Sequence, residues 1–551
     1  MLETLSGNPL STTVVSALIS HYIFKRWEQT DILSLAALLL FLPSALSTLF
    51  WNNHTATQSL LIAFTVYYIV LATSIVLYRL SPFHPLAKYP GPLPGKISAF
   101  HLMWVSFKGR RHLYLQSLHE EYGDIVRIGP NEVSLLDPNC TIHLMGTQGW
   151  PKGPNWEGRT MTDDLPMVAI RDTNVHHQRR KPWNRAFNSS SIKEFEPLLR
   201  KRVKLLVERL GEQKGTTDLT MWINYFTYDF MGDMAFGGWS EMLIEGDRQG
   251  LWQMMESTIN TSLVLEHMPW IMPYFRLLIK ARIKESPMLG HSEHKMNQRI
   301  KDGATSRDLF YYLNNEDGAD SQPPPKNLVL SDGLLAIFAG SDTTASVLSN
   351  AFYLLIRNHE ALQKLLEEID HLYPAGEDST DSRHYSEMDY LDAVINETLR
   401  LYPAVPSGSQ RAAAPGSGGK AIGPYFLPEG TLARIPFYAV QRDPRNFFPH
   451  PEAFWPERWI IASSDGPRPD GFIHNTSAFI PFSIGPYNCV GKNLAMHEMR
   501  MVLSHTLQNL SINFAKGWDE TVWEKELEDT FVFAKGKLPV TVTTRNLNGG
   551  A

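Results

Sequence analysis

The stretch FSIGPYNCVGKN, from Phe482 to Asn493, places one of the chain's two cysteines between glycines. Gly485 and Gly491 allow the backbone to turn tightly and to approach a flat ligand closely. Beyond Cys489 the apolar residues recur with helical spacing, at Ala495, Met499, Val502 and Leu503. Cys489 is therefore predicted to lie on a turn just before a helix N-terminus, where the helix dipole and free N–H groups favour the thiolate.

A single stabilised thiolate has two obvious functions: it is a catalytic nucleophile, or it is the one axial protein ligand of a haem iron. A nucleophile needs a partnered histidine, and the nearby His497 and His505 would fall on the following helix without a supporting constellation. A buried structural cysteine is the third alternative. This stretch alone does not decide between the structural cysteine and the haem ligand.

The composition excludes several classes of protein. The chain has 551 residues, of which 43% are hydrophobic, and this length supports a large core. Two cysteines exclude a disulfide framework, a structural zinc site and a thiolate-bound iron–sulfur cluster, because each requires several thiolates. A formal net charge of -6 does not predict a nucleic-acid-binding protein, which usually carries a basic surplus.

Residues 1–80 differ from the rest of the chain and predict a membrane anchor. Two uncharged runs, at 32–51 and 59–78, have the length of roughly 20 residues that a helix needs to cross a bilayer. A weaker run at 12–24, which contains His21, is a candidate third span. Buried core helices are the alternative, but two such uncharged runs lie together at the N-terminus.

The positive charges predict the orientation of this anchor. Lys25 and Arg26 precede the first span, and Arg79 and Lys88 follow the second, whereas the short loop between the spans has neither Lys nor Arg. The positive-inside rule therefore puts both flanks in the cytosol and the loop in the lumen. The loop carries a glycosylation sequon at Asn53, which is a candidate modification site.

Residues 81–96 predict a hinge between the anchor and a single large domain. The stretch KYPGPLPGK at 88–96 has three prolines and two glycines, which should stop any helix and favour a stiff, extended connector. The remainder, 97–551, is predicted to be mainly α-helical with small β-sheets. Short strand-like pieces occur at DIVRIGP (124–130), RIPFYAV (434–440) and LPVTVTT (538–544).

Three further stretches carry candidate functional residues. Glu397 and Arg400 are three positions apart in a helical pattern and share a face, and Arg458 lies in the segment PERW. A surface ion pair is the alternative for Glu397 and Arg400. The segment AGSDTT at 339–344 interrupts a long apolar helical run with residues of low helix propensity. An acid and an alcohol at this point suggest a proton path, and an ordinary helix irregularity is the alternative.

In this order the four motifs AGxDTT, ExxR, PERW and FxxGxxxCxG resemble the cytochrome P-450 family, from about the hinge to the C-terminus. The resemblance implies a haem b cofactor with Cys489 as its proximal thiolate ligand. Phe482, Gly485 and Gly491 would belong to the loop that holds this haem. The family's structural triad near the proximal side of the haem would comprise Glu397, Arg400 and Arg458.

The resemblance also implies roles for residues away from the cysteine. Asp342 and Thr343 resemble the acid–alcohol pair that delivers protons during oxygen activation, and Ala339 and Gly340 would border the oxygen pocket. The pocket walls would come from 149–171, 251–275, the helix of Asp342 and the turn near Phe531. The apolar residues of the second wall, which predict either an adaptable surface or plain core, are Trp252, Met254, Met255, Met268 and Trp270.

Two arginines resemble contacts to the haem propionates, Arg180 in the stretch HHQRRKPWNRAF and Arg411. In the same stretch His176 falls where many members of the family have Trp. The family usually has Arg or His two residues before the cysteine, whereas this chain has Tyr487. A phenol donates a hydrogen bond but has no positive charge. Either the two arginines hold the propionates or the haem is held more loosely.

The resemblance implies a monooxygenase that inserts one oxygen atom from O2 into a lipophilic substrate, such as a terpenoid or another specialised metabolite. The chain shows no dinucleotide-binding fingerprint in a strand–turn–helix context. Electrons should therefore come from NADPH through a separate NADPH–cytochrome P-450 reductase, with cytochrome b5 as an additional candidate donor. The expected location is the endoplasmic reticulum membrane with the catalytic domain facing the cytosol, and the overall pattern most resembles fungal members.

Two other classes remain open. A haem-thiolate isomerase or dehydratase would need neither oxygen nor reductase, but such enzymes often lack the acid–threonine pair that this chain has at Asp342 and Thr343. A non-catalytic membrane haem-binding protein is the second alternative, which Tyr487 favours slightly.

Overall fold

The computed structural model describes residues 8–27, 31–284, 286–304 and 306–545. These residues form a mainly α-helical structure with small β-sheets, as the sequence predicts. The α-helices are α1 (Pro9–Arg26), α2 (Ile32–Ala36), α3 (Leu42–Ser47), α4 (Ala56–Leu80), α5 (Leu93–Ile97), α6 (Ala99–Phe107), α7 (Arg111–Tyr122), α8 (Asn139–Met145), α9 (Asn155–Arg159), α10 (Thr173–Ala186), α11 (Ser189–Gly211), α12 (Leu219–Phe236), α13 (Met242–Glu245), α14 (Leu251–Leu265), α15 (Met272–Lys284), α16 (Pro287–Asp302), α17 (Leu309–Leu313), α18 (Lys326–Arg357), α19 (His359–Leu372), α20 (Asp389–Leu401), α21 (Phe437–Val440), α22 (Glu457–Ser463), α23 (Lys492–Asn509) and α24 (Val522–Glu526).

The strands are short and fall in five sheets within the described residues. They are β1 (Ile125–Arg127), β2 (Glu132–Leu135), β3 (Thr216–Asp218), β4 (Arg411–Ala412), β5 (Lys420–Ile422), β6 (Tyr425–Leu427), β7 (Leu432–Arg434), β8 (Phe447–Phe448), β9 (Ile473–His474), β10 (Leu510–Phe514), β11 (Glu528–Asp529), β12 (Phe533–Ala534) and β13 (Pro539–Thr544). The largest sheet has the order β1-β2-β7-β4, in which only β2 and β7 run parallel.

Two helical stretches near the N-terminus are long and apolar enough to cross a membrane, Ile32–Phe50 and Ala56–Leu80. They agree with the two runs expected from the sequence. Helix α1 covers the weaker third run but does not reach the same length and hydropathy. The hydroxyl of Tyr67 lies 2.7 Å from Ser20 Oγ and 2.7 Å from the carbonyl oxygen of Leu38, so a buried polar contact ties the three segments together.

The predicted hinge contains a helix, contrary to expectation. Helix α5 begins directly after Pro92, and Pro94 lies in its first turn, where the missing N–H has no helical partner to lose. The connector also packs closely against strand β1, because a Cβ atom added at Gly91 would lie 2.2 Å from the carbonyl oxygen of Arg127. Arg79 at the end of α4 donates to the carbonyl oxygen of Ile97 at 2.6 Å. These contacts make the segment a packed connector.

Helix α18 runs through the centre of the hydrophobic core, and it packs most extensively against α12. The segment AGSDTT does not interrupt this helix. The Ser341 hydroxyl donates to the carbonyl oxygen of Ile337 at 2.5 Å, and the Thr343 hydroxyl donates to that of Ala339 at 2.6 Å. These hydroxyls therefore bond back along the helix, as Ser and Thr in a helix interior commonly do.

The strand predictions are partly confirmed. Strands β1 and β13 lie within DIVRIGP and LPVTVTT. The stretch RIPFYAV is wrong as a strand, because β7 ends at Arg434 and Pro436 precedes the short helix α21. Pro436 has no N–H to donate to a sheet and sits well just before a helix. The sheet has a further consequence for the site, because an isolated antiparallel bridge pairs Lys152 with Arg411 of β4.

Candidate functional site

A cavity of about 850 Å³ lies between α18 and the loop that precedes α23. On the loop side it is lined by Phe482, Tyr487, Cys489 and Gly491. On the helix side it is lined by Ala339, Gly340, Asp342 and Thr343. The tertiary structure thus brings the two motifs that lie about 150 residues apart in the chain to opposite walls of one cavity.

The loop holds Cys489 in the predicted place, just before α23. The Cys489 N–H donates to the carbonyl oxygen of Phe482 at 2.9 Å, which closes the turn. Gly485 has φ of +73°, and a Cβ atom there would lie 2.1 Å from the carbonyl oxygen of Met145. Gly485 therefore shapes the loop and does not itself line the cavity. The Cys489 side chain is exposed to the cavity.

The electrostatics of the thiol differ from the expectation that the helix N-terminus alone would favour the thiolate. Burial raises the pKa of Cys489, and the backbone N–H groups of Gly491 and Lys492 and the charge of Arg180 oppose this shift. Since burial is the largest contribution, the helix N-terminus moderates the cost of a thiolate here and does not remove it.

Four basic side chains line one end of the cavity, Lys152, His176, Arg180 and Arg411. Arg180 is committed to the cysteine loop, because it donates to Asn488 through Nη1 at 2.8 Å and through Nη2 at 2.6 Å. Arg411 is 1% exposed, and its Nε has no hydrogen-bond partner within the described residues. A buried guanidinium with an unpaired donor is costly unless an anion binds it.

The ring of Tyr487 organises these cations. Lys152 Nζ lies 5.3 Å from the centre of the ring and the Arg411 guanidinium lies 5.1 Å from it, which is within cation–π distance. The His176 ring packs against Tyr487 at 4.6 Å, and the Tyr487 hydroxyl lies 3.0 Å from Thr173 Oγ1. The structure thus explains how the site accommodates Tyr487 in place of a basic residue: the phenol supplies no charge, but its ring packs against Lys152 and Arg411.

The basic groups of this cluster disfavour one another's charged forms. Burial lowers the pKa of Lys152 well below its ordinary value, and the charges of Arg411 and Arg180 lower it further. Burial and the charges of Lys152, Arg180 and Arg411 lower the pKa of His176 to about 3. Such a concentration of positive charge is relieved when a carboxylate or another anion binds.

These residues fit a haem. The macrocycle needs one thiolate ligand, which Cys489 offers inside the cavity, and its two propionate carboxylates need cations, of which Arg411 has an unpaired buried donor. Lys152 and His176 could share the second carboxylate with Arg411. The sequence interpretation missed Lys152, since only the backbone bridge to Arg411 brings it to the site.

The acid–alcohol pair has a further partner. Asp342 Oδ1 accepts a hydrogen bond from Lys535 Nζ at 3.0 Å, and the two side chains are 11% and 3% exposed. The Thr343 hydroxyl donates to the carbonyl oxygen of Ala339. The sequence carries no signal for Lys535, which is 193 positions from Asp342 and follows β12.

Glu397, Arg400 and Arg458 form a completely buried cluster outside the cavity lining. Glu397 accepts from Arg400 Nη2 at 2.8 Å and from Arg458 Nε at 3.0 Å. It also accepts from the indole of Trp459 at 3.0 Å and from the N–H of Trp455 at 3.1 Å. Burial of a carboxylate is thus fully compensated, and the surface ion pair considered for ExxR is wrong.

The cavity walls come partly from the expected segments. Lys152, Trp156 and Thr160 of 149–171 and Phe531 all line the cavity. From 251–275, however, the lining residues are Thr258, Ile259 and Ser262. The Trp and Met residues of this stretch do not line the cavity, and Trp252 and Met255 are buried in the core instead. The sequence interpretation missed a wall from α16, which includes Leu289, Glu293, Met296 and Asn297.

The fold and the site together define a haem-thiolate oxidoreductase, and comparison with known proteins agrees. The family model for cytochrome P-450 matches residues 90–541. The chain belongs to the cytochrome P-450 family, whose cofactor is haem, and it is a cytochrome P-450 monooxygenase by family.

Its relatives include several fungal enzymes. It is 35% identical to the cytochrome P-450 monooxygenase FCK2 of Fusarium pseudograminearum, over 86% of this chain and 85% of the relative. It is 32% identical to the cytochrome P-450 monooxygenase phqL of Penicillium fellutanum, over 98% of this chain and 96% of the relative. It is 30% identical to the tryprostatin B 6-hydroxylase of Aspergillus fumigatus, over 89% and 85%.

Proposed function

We propose that the protein inserts one oxygen atom from O2 into a lipophilic small molecule, with electrons from NADPH that arrive through a separate reductase. The observation that carries this proposal is that Cys489 and the Asp342–Thr343 pair line the same cavity. An isomerase or dehydratase would have no need of the acid–alcohol pair. When bound, haem supplies the oxygen activation and the oxidising power, and the protein residues bind, orient and deliver protons.

Each residue of the site has a proposed task. Cys489 would ligate the iron, and Arg411, Lys152 and His176 would hold the carboxylates of the macrocycle. Arg180 holds the cysteine loop through Asn488. Asp342 would accept protons from the solvent side and pass them to the Thr343 hydroxyl, which faces the cavity. Phe482 and Val490 would shield the proximal face from water.

The lining of the cavity supports a lipophilic substrate. Leu334, Leu335, Phe338, Val405 and Phe531 make most of the wall beyond the helix motif apolar. Apolar pockets with a few polar groups bind lipophilic ligands and orient them by those groups. Thr160, Thr258 and Ser262 are the polar groups in position to select among such ligands. A terpenoid or another specialised metabolite is the proposed class, and one relative carries tryprostatin B in its name.

The two apolar stretches Ile32–Phe50 and Ala56–Leu80 are proposed to anchor the protein in the endoplasmic reticulum membrane with the catalytic domain in the cytosol. Asn53 lies in an exposed turn between them. If the loop is lumenal, Asn53 is available for glycosylation, and Asn53→Gln should remove any glycosidase-sensitive mass. The loop contains no lysine, so it offers no site for lysine modification.

The first experiment is the carbon monoxide difference spectrum of the reduced protein in membranes. A thiolate-type Soret band is the expected result, and a histidine-type band would contradict Cys489 ligation.

Product formation should require reductase, NADPH and O2 together, whereas an isomerase or dehydratase would form product without O2. Asp342→Asn and Thr343→Ala should slow turnover and divert electrons to peroxide. Wild-type rates and coupling in both variants would contradict the proton path.

A further inference from the structure

We propose that Lys535 is a positioning residue for proton delivery, which holds the Asp342 carboxylate in place beside the cavity. The proposal rests on the proton path of the proposed function, and it assigns a residue that the family motif does not include. Lys535 itself does not line the cavity, so it acts through Asp342 and not on the substrate.

The geometry of the pair carries the proposal. Lys535 Nζ lies 3.0 Å from Asp342 Oδ1, and both side chains are nearly excluded from solvent, at 3% and 11% exposure. A charged pair at this distance in a sheltered position interacts more strongly than an exposed surface pair. The ion pair therefore fixes one oxygen of the carboxylate, while Asp342 remains next to Thr343 in the wall of the cavity.

The segment that carries Lys535 is held by the fold. The Phe533 N–H of β12 donates to the carbonyl oxygen of Ala404 at 3.1 Å, and β12 pairs with β11. Lys535 Nζ also lies 5.9 Å from the centre of the Trp252 ring of α14. Contacts from two separate elements therefore fix the position of the lysine ammonium group beside α18.

Charged groups from two packed elements face Asp342. Lys535 comes from the segment after β12, and Glu256 comes from α14. Partial burial raises the pKa of Glu256, the charge of Lys535 lowers it, and the charge of Asp342 raises it. Lys535 thus contacts Asp342 directly, and its charge also acts on Glu256.

The ion pair has a consequence for proton transfer. A proton passes along a relay only when donor and acceptor lie within hydrogen-bond distance and are correctly oriented. Lys535 Nζ lies 3.0 Å from Asp342 Oδ1, and this contact limits the positions that the carboxylate takes beside Thr343. Loss of Lys535 should therefore slow proton delivery.

The test compares Lys535→Met with wild-type holoenzyme in membranes that contain reductase, with hydrogen peroxide released per NADPH consumed as the readout. This readout needs no identified substrate, because reduction of O2 to two molecules of water takes four electrons and four protons, whereas release of hydrogen peroxide takes two of each. We expect water formation to fall roughly tenfold, less than the roughly 100-fold that removal of a proton-transfer group itself causes. The peroxide fraction should rise accordingly, and Lys535→Arg should restore most of the wild-type partition between water and peroxide.

Matched variants separate a positioning role from a general loss of structure. Lys537→Met changes an exposed lysine two positions away and should leave both readouts unchanged. The Soret band of Lys535→Met should keep its position and height. In the double variant Asp342→Asn/Lys535→Met, the lysine substitution should add little to the effect of Asp342→Asn, because residues that act through one group are not additive.

Two results would overturn the proposal, and they differ in what else they overturn. If Asp342→Asn raises peroxide release and Lys535→Met does not, the proton path stands and Lys535 has no part in it. If neither variant raises peroxide release, the proton path itself fails and takes the role of Lys535 with it. A fully additive double variant would also overturn the proposal, even if Lys535→Met loses some haem.

Discussion

At the scale of single residues, the site is defined by a charge imbalance. Arg411 is almost completely buried and has a donor without a partner among the described residues, and Lys152 and His176 lie beside it. The unpaired donor of Arg411 costs free energy as it stands, because a buried donor without a partner is unfavourable. A bound group with two carboxylates would compensate this cost.

Arg411→Met should therefore lower haem retention while the protein still folds. Removing a charge-assisted hydrogen bond costs about 1.5–3 kcal/mol, which is a loss of roughly tenfold or more in affinity. The ratio of haem absorbance to protein, measured after passage over apo-myoglobin, reports the loss. Arg445→Met is the matched control, because Arg445 is an exposed arginine that pairs with Asp124 and Asp443 away from the cavity. Equal haem content in both variants would contradict the role of Arg411.

At the scale of secondary-structure elements, Glu397 joins α20 to α22 and to the segment between them. Arg400 bonds to Glu397 and also donates to the carbonyl oxygens of Gln441 and Ala453, at 2.9 Å and 3.1 Å. Arg458 donates to the carbonyl oxygen of His450 at 2.7 Å. One carboxylate is thus the shared counter-ion of two buried guanidinium groups that hold irregular backbone in place.

Glu397→Gln should destabilise the fold strongly, because it leaves two buried positive charges without a counter-ion. Breaking a buried ion pair from one side costs about 3–5 kcal/mol. The urea concentration at which half of the Soret absorbance is lost should fall sharply. Glu360→Gln, which removes an exposed carboxylate from the pair with Lys364 on α19, should change the midpoint little. A small shift for Glu397→Gln would mean that the cluster does not lock the fold.

At the scale of the whole molecule, the N-terminal helices and the catalytic domain depend on each other little. The described contacts between them include the bonds from Arg79 to Ile97 and from Arg127 to Arg79. The core around α18 is formed by residues beyond the connector. The anchor should therefore be removable without loss of the haem domain.

A chain without residues 1–80 should keep its Soret band and move in large part from the membrane to the soluble fraction. Removal of two apolar stretches of membrane-spanning length eliminates most of the free energy of membrane insertion. Fractionation by ultracentrifugation after alkaline carbonate treatment measures the change. A truncated chain that stays as firmly in the membrane as the full chain would contradict an anchor confined to this segment.

The whole molecule should also lose stability in mild acid. Burial lowers the pKa of His112, His267 and His505 to about 4 each. The unfolded chain takes up protons on these residues below about pH 6.5, whereas the folded chain does not until about pH 4. Stability is therefore complete above pH 6.5 and falls between pH 6.5 and 4, by up to about 3 kcal/mol for each histidine.

The midpoint temperature of unfolding at pH 7.5 and 4.5, followed by tryptophan fluorescence in detergent, checks this expectation. His112 packs edge-on against Tyr438 and Phe533, so His112→Phe keeps an aromatic ring there and should reduce the drop between the two pH values. His359→Phe at the exposed start of α19 should not. Equal drops in all three proteins would show that other groups control the acid sensitivity.

The sequence by itself determined those features that depend on neighbouring residues. The two apolar stretches, the helix after Cys489 and the family resemblance all follow from local patterns. Their physical basis is short-range: hydropathy over one membrane thickness, and glycines that permit one tight loop. The mistakes were local as well. Pro94 lies in the first turn of a helix where a stiff, extended connector was expected, and Pro436 precedes a short helix where a strand was predicted.

Only the tertiary structure decided which distant residues complete the site. The bridge between Lys152 and Arg411 and the packing of both against Tyr487 explain how a chain with a phenol at this position still concentrates positive charge. The pairing of Lys535 with Asp342 joins residues 193 positions apart. No local pattern predicts such contacts, because they depend on how sheets and helices pack and on the exclusion of water that makes each buried charge need a partner.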